Sequence, residues 1–136
     1  MTTKQWLEQS KGIIDEIKIL ENEKNIAALQ SARITHDITD KIAKIPRSRN
    51  DTALVKYADS EYIARIDKRL ADLRNMLGEI EHAIYSVDDS VQRLLLINRY
   101  VLFKKWKDIA IEMSYSPKNI FKIHNKALNN VKMDTK

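Results

Sequence analysis

Apolar positions recur along the chain at helical spacing. From Ile13 they run Ile13, Ile17, Leu20, Ala27, Ile34 and Ile38, with Ile42 and Ile45 near the end, while Lys24 and Ser31 fall on the same stripe. Steps of 3 and 4 place these side chains on one face of a helix, which could break near Gly12 or between Thr35 and Thr39. The stretch KIPRSRNDTALVKYADS carries Pro46 and a cluster of polar turn residues, so it reads as a connector, with a short helical turn at Thr52–Tyr57. A second helix begins at Asp59 or Ser60 and has a cleaner stripe: Ile63, Ile66, Leu70, Leu73, Leu77, Ile80, Ile84, Val87. Roughly 29 residues at about 1.5 Å each would extend about 44 Å, and a seam that long needs a partner. The first helix of the same chain or a second copy of the chain could supply it.

SVDDSVQ ends this pattern. Asp89 with Gln92 three residues on fits a capping pair, and a helix follows over about Ser90–Leu102. The next stretch, WKDIAIEMSYSPKNIFKIHNKAL, predicts a helix over Trp106–Met113, a link of about three residues, and a helix opened by Ser116 and Pro117. A link that short suits a helix-turn-helix. On the last helix Ile120, Ile123, Ala127, Leu128 and Val131 share one side, while Lys118, Phe121, Lys122, Asn125 and Asn129 share the other. That outward side has amides and lysines and no carboxylate. Asn and Lys can bond base edges in a major groove, and Lys also pairs with phosphate.

Charge sharpens this picture. Residues 1–87 hold 14 Lys+Arg against 14 Asp+Glu, and residues 88–136 hold 10 against 5, so the whole excess of +5 lies in the C-terminal third. A basic module beside a neutral one points to a polyanionic partner, with a solvated lysine face as the plainer reading. With 2 Gly and 2 Pro the chain has little material for many tight turns, and an all-α fold is expected. Without cysteine there is no disulfide and no thiolate site. No apolar run reaches the roughly 20 residues of a membrane span, and MTTKQWLEQSKG lacks a signal-peptide core, so a cytoplasmic protein without a membrane partner is expected.

Catalytic and metal chemistry find no support. His36, His82 and His124 lie in different segments with no second ligand at metal spacing. There is no glycine-rich phosphate loop, and the carboxylate pairs Asp15–Glu16 and Glu79–Glu81 sit in solvated helical charge patterns. No metal, cofactor or enzymatic activity is expected. His124 is expected to point inward or to flank the recognition helix, Trp106 to brace the last two helices, and Tyr115 to pack within the turn.

The segment RYVLFKKWKDIAIEMSYSPKNIFKIHNKAL resembles the C-terminal helix-turn-helix of bacterial sigma factors. The resemblance is carried by Arg99–Tyr100, then Trp106, Ile109 and Ala110, then Ser116, Ile120, Ile123, Ala127–Leu128 and Val131. Most of the chain is similar to small phage and prophage proteins with such a domain, including late-gene activators of the RinA and ArpU type; KIPRSRNDTALVKYAD resembles their connector. Where that family commonly has glycine ahead of the Trp106 helix and in the turn, this chain has Phe103 and Ser114, and Lys105 replaces a common capping Ser or Thr. Ser114 must then take up the turn conformation without glycine's freedom.

The resemblance implies a long-helix coiled-coil hairpin or dimerisation region over 1–87, followed by a three-helix sigma-like DNA-binding domain over 88–136. It makes Lys118, Asn119, Phe121, Lys122 and Asn125 candidates for reading bases, and Lys104, Lys105, Lys107 and Lys126 candidates for phosphate. Phe121 would meet a thymine methyl or serve as an interface ring. The function expected is sequence-specific transcription regulation of phage or prophage genes. Double-stranded DNA would be the partner, with RNA polymerase as a second candidate partner and a homodimer as the candidate assembly. Two other readings compete: a small terminase-like DNA-packaging subunit, and a protein-interaction module that binds polymerase or another regulator.

Overall fold

The computed structural model describes residues 1–41 and 60–133, and side chains over 1–30 and 61–133. Among the described residues every regular element is helical: α1 (Thr3–Lys41), α2 (Ser60–Tyr85), α3 (Ser90–Leu96), a π-helical turn (Ile97–Val101), α4 (Trp106–Met113) and α5 (Pro117–Asn130). The fold is all-α. The expected turn at Thr52–Tyr57 lies outside the described residues.

α1 starts ten residues before the apolar stripe and runs unbroken past Gly12 and through Thr35–Thr39. Its start is a reciprocal cap. The Gln5 backbone N–H donates to Thr2 Oγ1 at 3.2 Å, and the Thr2 N–H donates to Gln5 Oε1 at 2.9 Å. Two of the amide donors that a helix start leaves unpaired are thereby satisfied.

The chain divides into two compact units, Glu16–Leu73 and Met1–Asp15 with Arg74–Lys136. In the first, Ala27 of α1 and Ile66, Leu70 and Leu73 of α2 are buried. Arg69 donates from Nε and Nη2 to the two Glu16 carboxylate oxygens at 2.9 and 3.2 Å. Lys24, which interrupts the apolar stripe, lies 2.6 Å from Asp67 Oδ1. Both pairs are half-exposed and screened by solvent, so they add little to stability.

The second unit joins the two ends of the chain. Its core contains Leu7, Ser10 and Ile13 from α1, Ile80, Ala83, Ile84 and Val87 from α2 and its C-terminal edge, and Leu95, Leu96, Tyr100, Ile109, Ile120, Ala127 and Val131 beyond them. The position 87/88, where a domain boundary was expected, falls inside this unit. Ser10 is 1% exposed, and its hydroxyl lies 2.9 Å from the Leu7 carbonyl and 2.9 Å from the Tyr100 carbonyl, a residue 90 positions away.

α3 opens with the expected cap, Asp89 Oδ1 accepting from the Gln92 N–H at 3.0 Å. Arg93 secures the preceding link by donating to the Val87 carbonyl at 2.8 Å. The single helix expected over Ser90–Leu102 is α-helical only to Leu96. It then widens into the π turn, where the Leu102 N–H donates to Ile97 O at 2.9 Å. Phe103, at φ 57°, stops the helix there.

Candidate nucleic-acid interface

α4 and α5 are joined by Ser114–Ser116. Ser114 takes φ 59°, ψ 38°, the left-handed conformation that glycine adopts without steric cost. The Tyr115 N–H donates to Ala110 O at 3.0 Å and the Ser114 N–H to Ile111 O at 3.2 Å. These two bonds form a Schellman closure, with serine at the position where glycine is favoured. Phe103 and Ser114 are the positive-φ non-glycine residues among those described, and they occupy the two positions where the resemblance led one to expect glycine. Ser116 then caps α5: its Oγ accepts from the Asn119 N–H at 3.2 Å, and Pro117 fills the first helical position. Lys105 precedes α4 without a side-chain cap.

A buried aromatic cluster holds α5 against the rest of its unit. Tyr100 Oη lies 2.7 Å from His124 Nε2, and the two rings stack with centroids 5.8 Å apart. Burial pushes the His124 imidazole down to about 4, helped by the charges of Lys4 and Arg99. Burial also pushes the Tyr100 phenol up to about 12, with Glu8 adding to the rise and Arg99 opposing it. Both groups are neutral near pH 7, so the phenol donates and Nε2 accepts. Trp106 stands edge-on to His124 at 4.6 Å and tilted against Phe121 at 5.3 Å. The Arg99 guanidinium lies 4.7 Å from the Trp106 ring centroid and donates to the Lys104 carbonyl at 3.0 Å. Trp106 thus braces the last two helices, as its place in the sequence suggested, and His124 points inward.

With that inner side fixed, the outer side of α5 is set. Ile120, His124 and Ala127 are buried. Lys118, Asn119, Phe121, Lys122, Asn125, Lys126 and Asn129 are all exposed. Lys118, Lys122, Asn125 and Asn129 follow one another at steps of 4, 3 and 4 and form a single row, flanked by Phe121 on one side and by Asn119 and Lys126 on the other. α5 carries no Asp or Glu. Lys105 and Lys107 are exposed at the start of α4, whereas Lys104 is partly covered, its Nζ 2.7 Å from Glu112 Oε2. Lys104 is therefore ion-paired to a carboxylate, whereas among the described residues no such pair is seen for Lys105 or Lys107.

Lys107 and Phe121 border one open apolar groove of about 380 Å3, with Trp106, Ile111, Tyr115 and Pro117 among its walls. Ile111, Tyr115 and Phe121 are 68%, 39% and 48% exposed, so this groove is an unfilled apolar surface directly beside the lysine row. Tyr115, in the turn itself, lines this groove. Sequence reasoning did not anticipate the groove, because Ile111 reads as an ordinary helix position. It also missed the Tyr100–His124 pair, whose members are 24 residues apart.

Among the described residues no group of three His, Cys, Asp or Glu side chains could hold a metal ion. No described helix is long and apolar enough to cross a membrane. No protein-family model, no curated protein and no solved structure matches the chain.

Proposed function

We propose that α4 and α5 form a DNA-binding helix-turn-helix and that the protein is a sequence-specific transcription regulator of phage or prophage genes, working in the cytoplasm of a bacterial host. The observation that carries the reading is the exposed row Lys118, Lys122, Asn125 and Asn129 on a helix without a single carboxylate. An ordinary solvated helix face mixes both signs of charge. A face with only lysines and amides suits phosphates and the base edges of a major groove. The phage setting is supported by the resemblance in sequence pattern to sigma-like phage regulators. In this reading Lys118 and Lys122 provide charge, Asn125 reads a base edge, and Lys105, Lys107 and Lys126 are further phosphate contacts.

The test is binding of the full chain to a labelled random-sequence duplex pool over a range of salt, followed by selection of the bound fraction. Affinity should fall steeply with salt, and Lys118→Ala/Lys122→Ala should reduce the slope of log affinity against log salt by about 2 and weaken binding roughly tenfold or more. No binding at low salt, or identical binding by the double variant, refutes the proposal. A second reading, a protein-interaction module that contacts polymerase, draws on the exposed apolar groove. Co-purification of polymerase with no duplex binding would favour it.

A further inference from the structure

Building on the proposed DNA-binding role of α5, we infer that the groove bordered by Phe121 is a reader of thymine methyl groups, so that the sequences bound contain a thymine step beside the phosphates held by Lys118 and Lys122.

Position is the first argument. When a helix-turn-helix docks, the N-terminal half of its second helix meets the base edges. Phe121 is the fifth residue of α5, between Lys118 and Lys122 in sequence, and shares a face with Lys118 three residues before it and Asn125 four residues after it. A ring placed there faces the floor of the major groove, where the C5-methyl of thymine is the apolar feature available for contact.

Rigidity is the second. Phe121 is 48% exposed, yet its ring is backed by Trp106 at 5.3 Å, and Trp106 is in turn held by His124 at 4.6 Å and Arg99 at 4.7 Å. The ring is backed by Trp106 and still partly exposed. Ile111 and Tyr115 continue the apolar surface beside the ring.

Charge is the third. Lys107 lies on the rim of the groove, and Lys118 and Lys122 are exposed on the helix that forms one of its walls. An occupant must combine apolar points with dense negative charge alongside them. The major groove of a thymine-containing duplex has that combination.

The chemistry also sets the size of the effect. Removing one buried methyl forfeits about one methylene's worth of apolar burial, which corresponds to roughly a fourfold change in affinity. The experiment takes a duplex enriched by the full-length protein from the random pool and replaces its thymines one at a time with deoxyuridine, which removes the methyl and leaves the hydrogen-bonding edge intact. Wild type should lose about fourfold at one or two positions and be indifferent at the others. Phe121→Ala should bind the thymine duplex about as weakly as wild type binds the deoxyuridine duplex, and should no longer distinguish the two. Because Phe121 is a surface ring, circular dichroism should show the variant folded; Phe121→Leu, which keeps an apolar side chain, should recover part of the discrimination. Binding that depends on Lys118 and Lys122 but ignores every methyl overturns this inference alone. Wild-type affinity in Phe121→Ala overturns it too. Failure of the wild type to bind any duplex removes both this inference and the functional proposal beneath it.

Discussion

Tyr100 donates its phenolic hydrogen to His124 Nε2 across 2.7 Å inside the unit that carries α5. The pair links the π turn to the middle of the last helix. His124 is 4% exposed and Tyr100 also 4%, so each is largely removed from water and depends on the other as its partner. Such a bond contributes little beyond what it replaces in water, but losing one member is costly, because the other is left buried and unpaired.

Acid should therefore loosen this unit through His124. The imidazole titrates near 6.5 in an unfolded chain and is held at about 4 in the folded one, chiefly by burial. Between these values the unfolded state binds the extra proton, so the contribution of His124 is complete above pH 6.5 and is lost as pH falls towards 4. Allowing for solvent near the cluster, the loss should be about 2 kcal/mol. Denaturant midpoints at pH 7 and pH 4.5 for wild type and His124→Gln measure it, since Gln keeps an acceptor for the phenol but does not titrate. Equal pH dependence in both proteins would contradict the assignment. Tyr100→Phe, compared at pH 7, should cost about 1–2 kcal/mol.

Ser114 predicts an effect of opposite sign. It holds a left-handed conformation at φ 59°, which costs a non-glycine residue about 1–2 kcal/mol, and its side chain is exposed. Ser114→Gly removes that strain but widens the unfolded ensemble, so the net gain should be about 0.5–1 kcal/mol. Ser114→Val should destabilise by more than that, since a β-branched side chain tolerates the left-handed region poorly. Thermal melts of the three proteins check the order Gly, Ser, Val.

Arg99 should matter through what it holds in place. Its guanidinium covers the Trp106 ring and donates to the Lys104 carbonyl, which ties down the bend at Phe103. Arg99→Lys keeps the charge but not the planar fork, so it should lose most of the effect. Either Arg99→Lys or Arg99→Ala should cost about 1 kcal/mol and shift tryptophan emission as Trp106 gains solvent. Emission unchanged from wild type in Arg99→Ala would show that the stacking does not order the ring.

Local signals carried most of the secondary structure. Asp89–Gln92 and Ser116–Pro117 are each contained within one helical turn and appear where the sequence placed them, and the stripe from Ile63 to Ile84 lies on one helix, which ends at Tyr85, just short of Val87. Trp106 as a brace was legible because its neighbours Ile109 and Ala110 share its helix. The early start of α1 was also legible in principle, since Thr2 and Gln5 form a capping box, but the polar run that follows masks it. The role of Ser10 was not. A small polar residue in a charged helix carries no mark of burial, and its partner, the Tyr100 carbonyl, is a backbone atom 90 residues away. The π turn was hidden for a related reason: Ile97, Tyr100 and Val101 keep an apolar pattern that a plain α-helix would also satisfy.

The buried Ser10 bears on where the C-terminal module begins. If residues 88–136 were a free-standing domain, they would fold without α1. The structure instead puts Leu7 at 0% exposure and Ser10 at 1% in the same unit, along with Ile80 and Ile84 from α2. Removing residues 1–87 would expose the apolar surfaces these side chains cover and leave the Tyr100 carbonyl without the Ser10 hydroxyl. A fragment of 49 residues (88–136) would also bury too little apolar surface to offset the entropy of its own ordering. It should show weak helicity and no cooperative melt by far-ultraviolet circular dichroism, whereas the intact chain melts cooperatively. Ser10→Ala in the intact chain tests the same contact at smaller scale and should cost about 1 kcal/mol. A fragment that melts as sharply, and at the same temperature, as the whole protein would show that the N-terminal turns of α1 are an accessory to the unit that holds α5 and not part of its core.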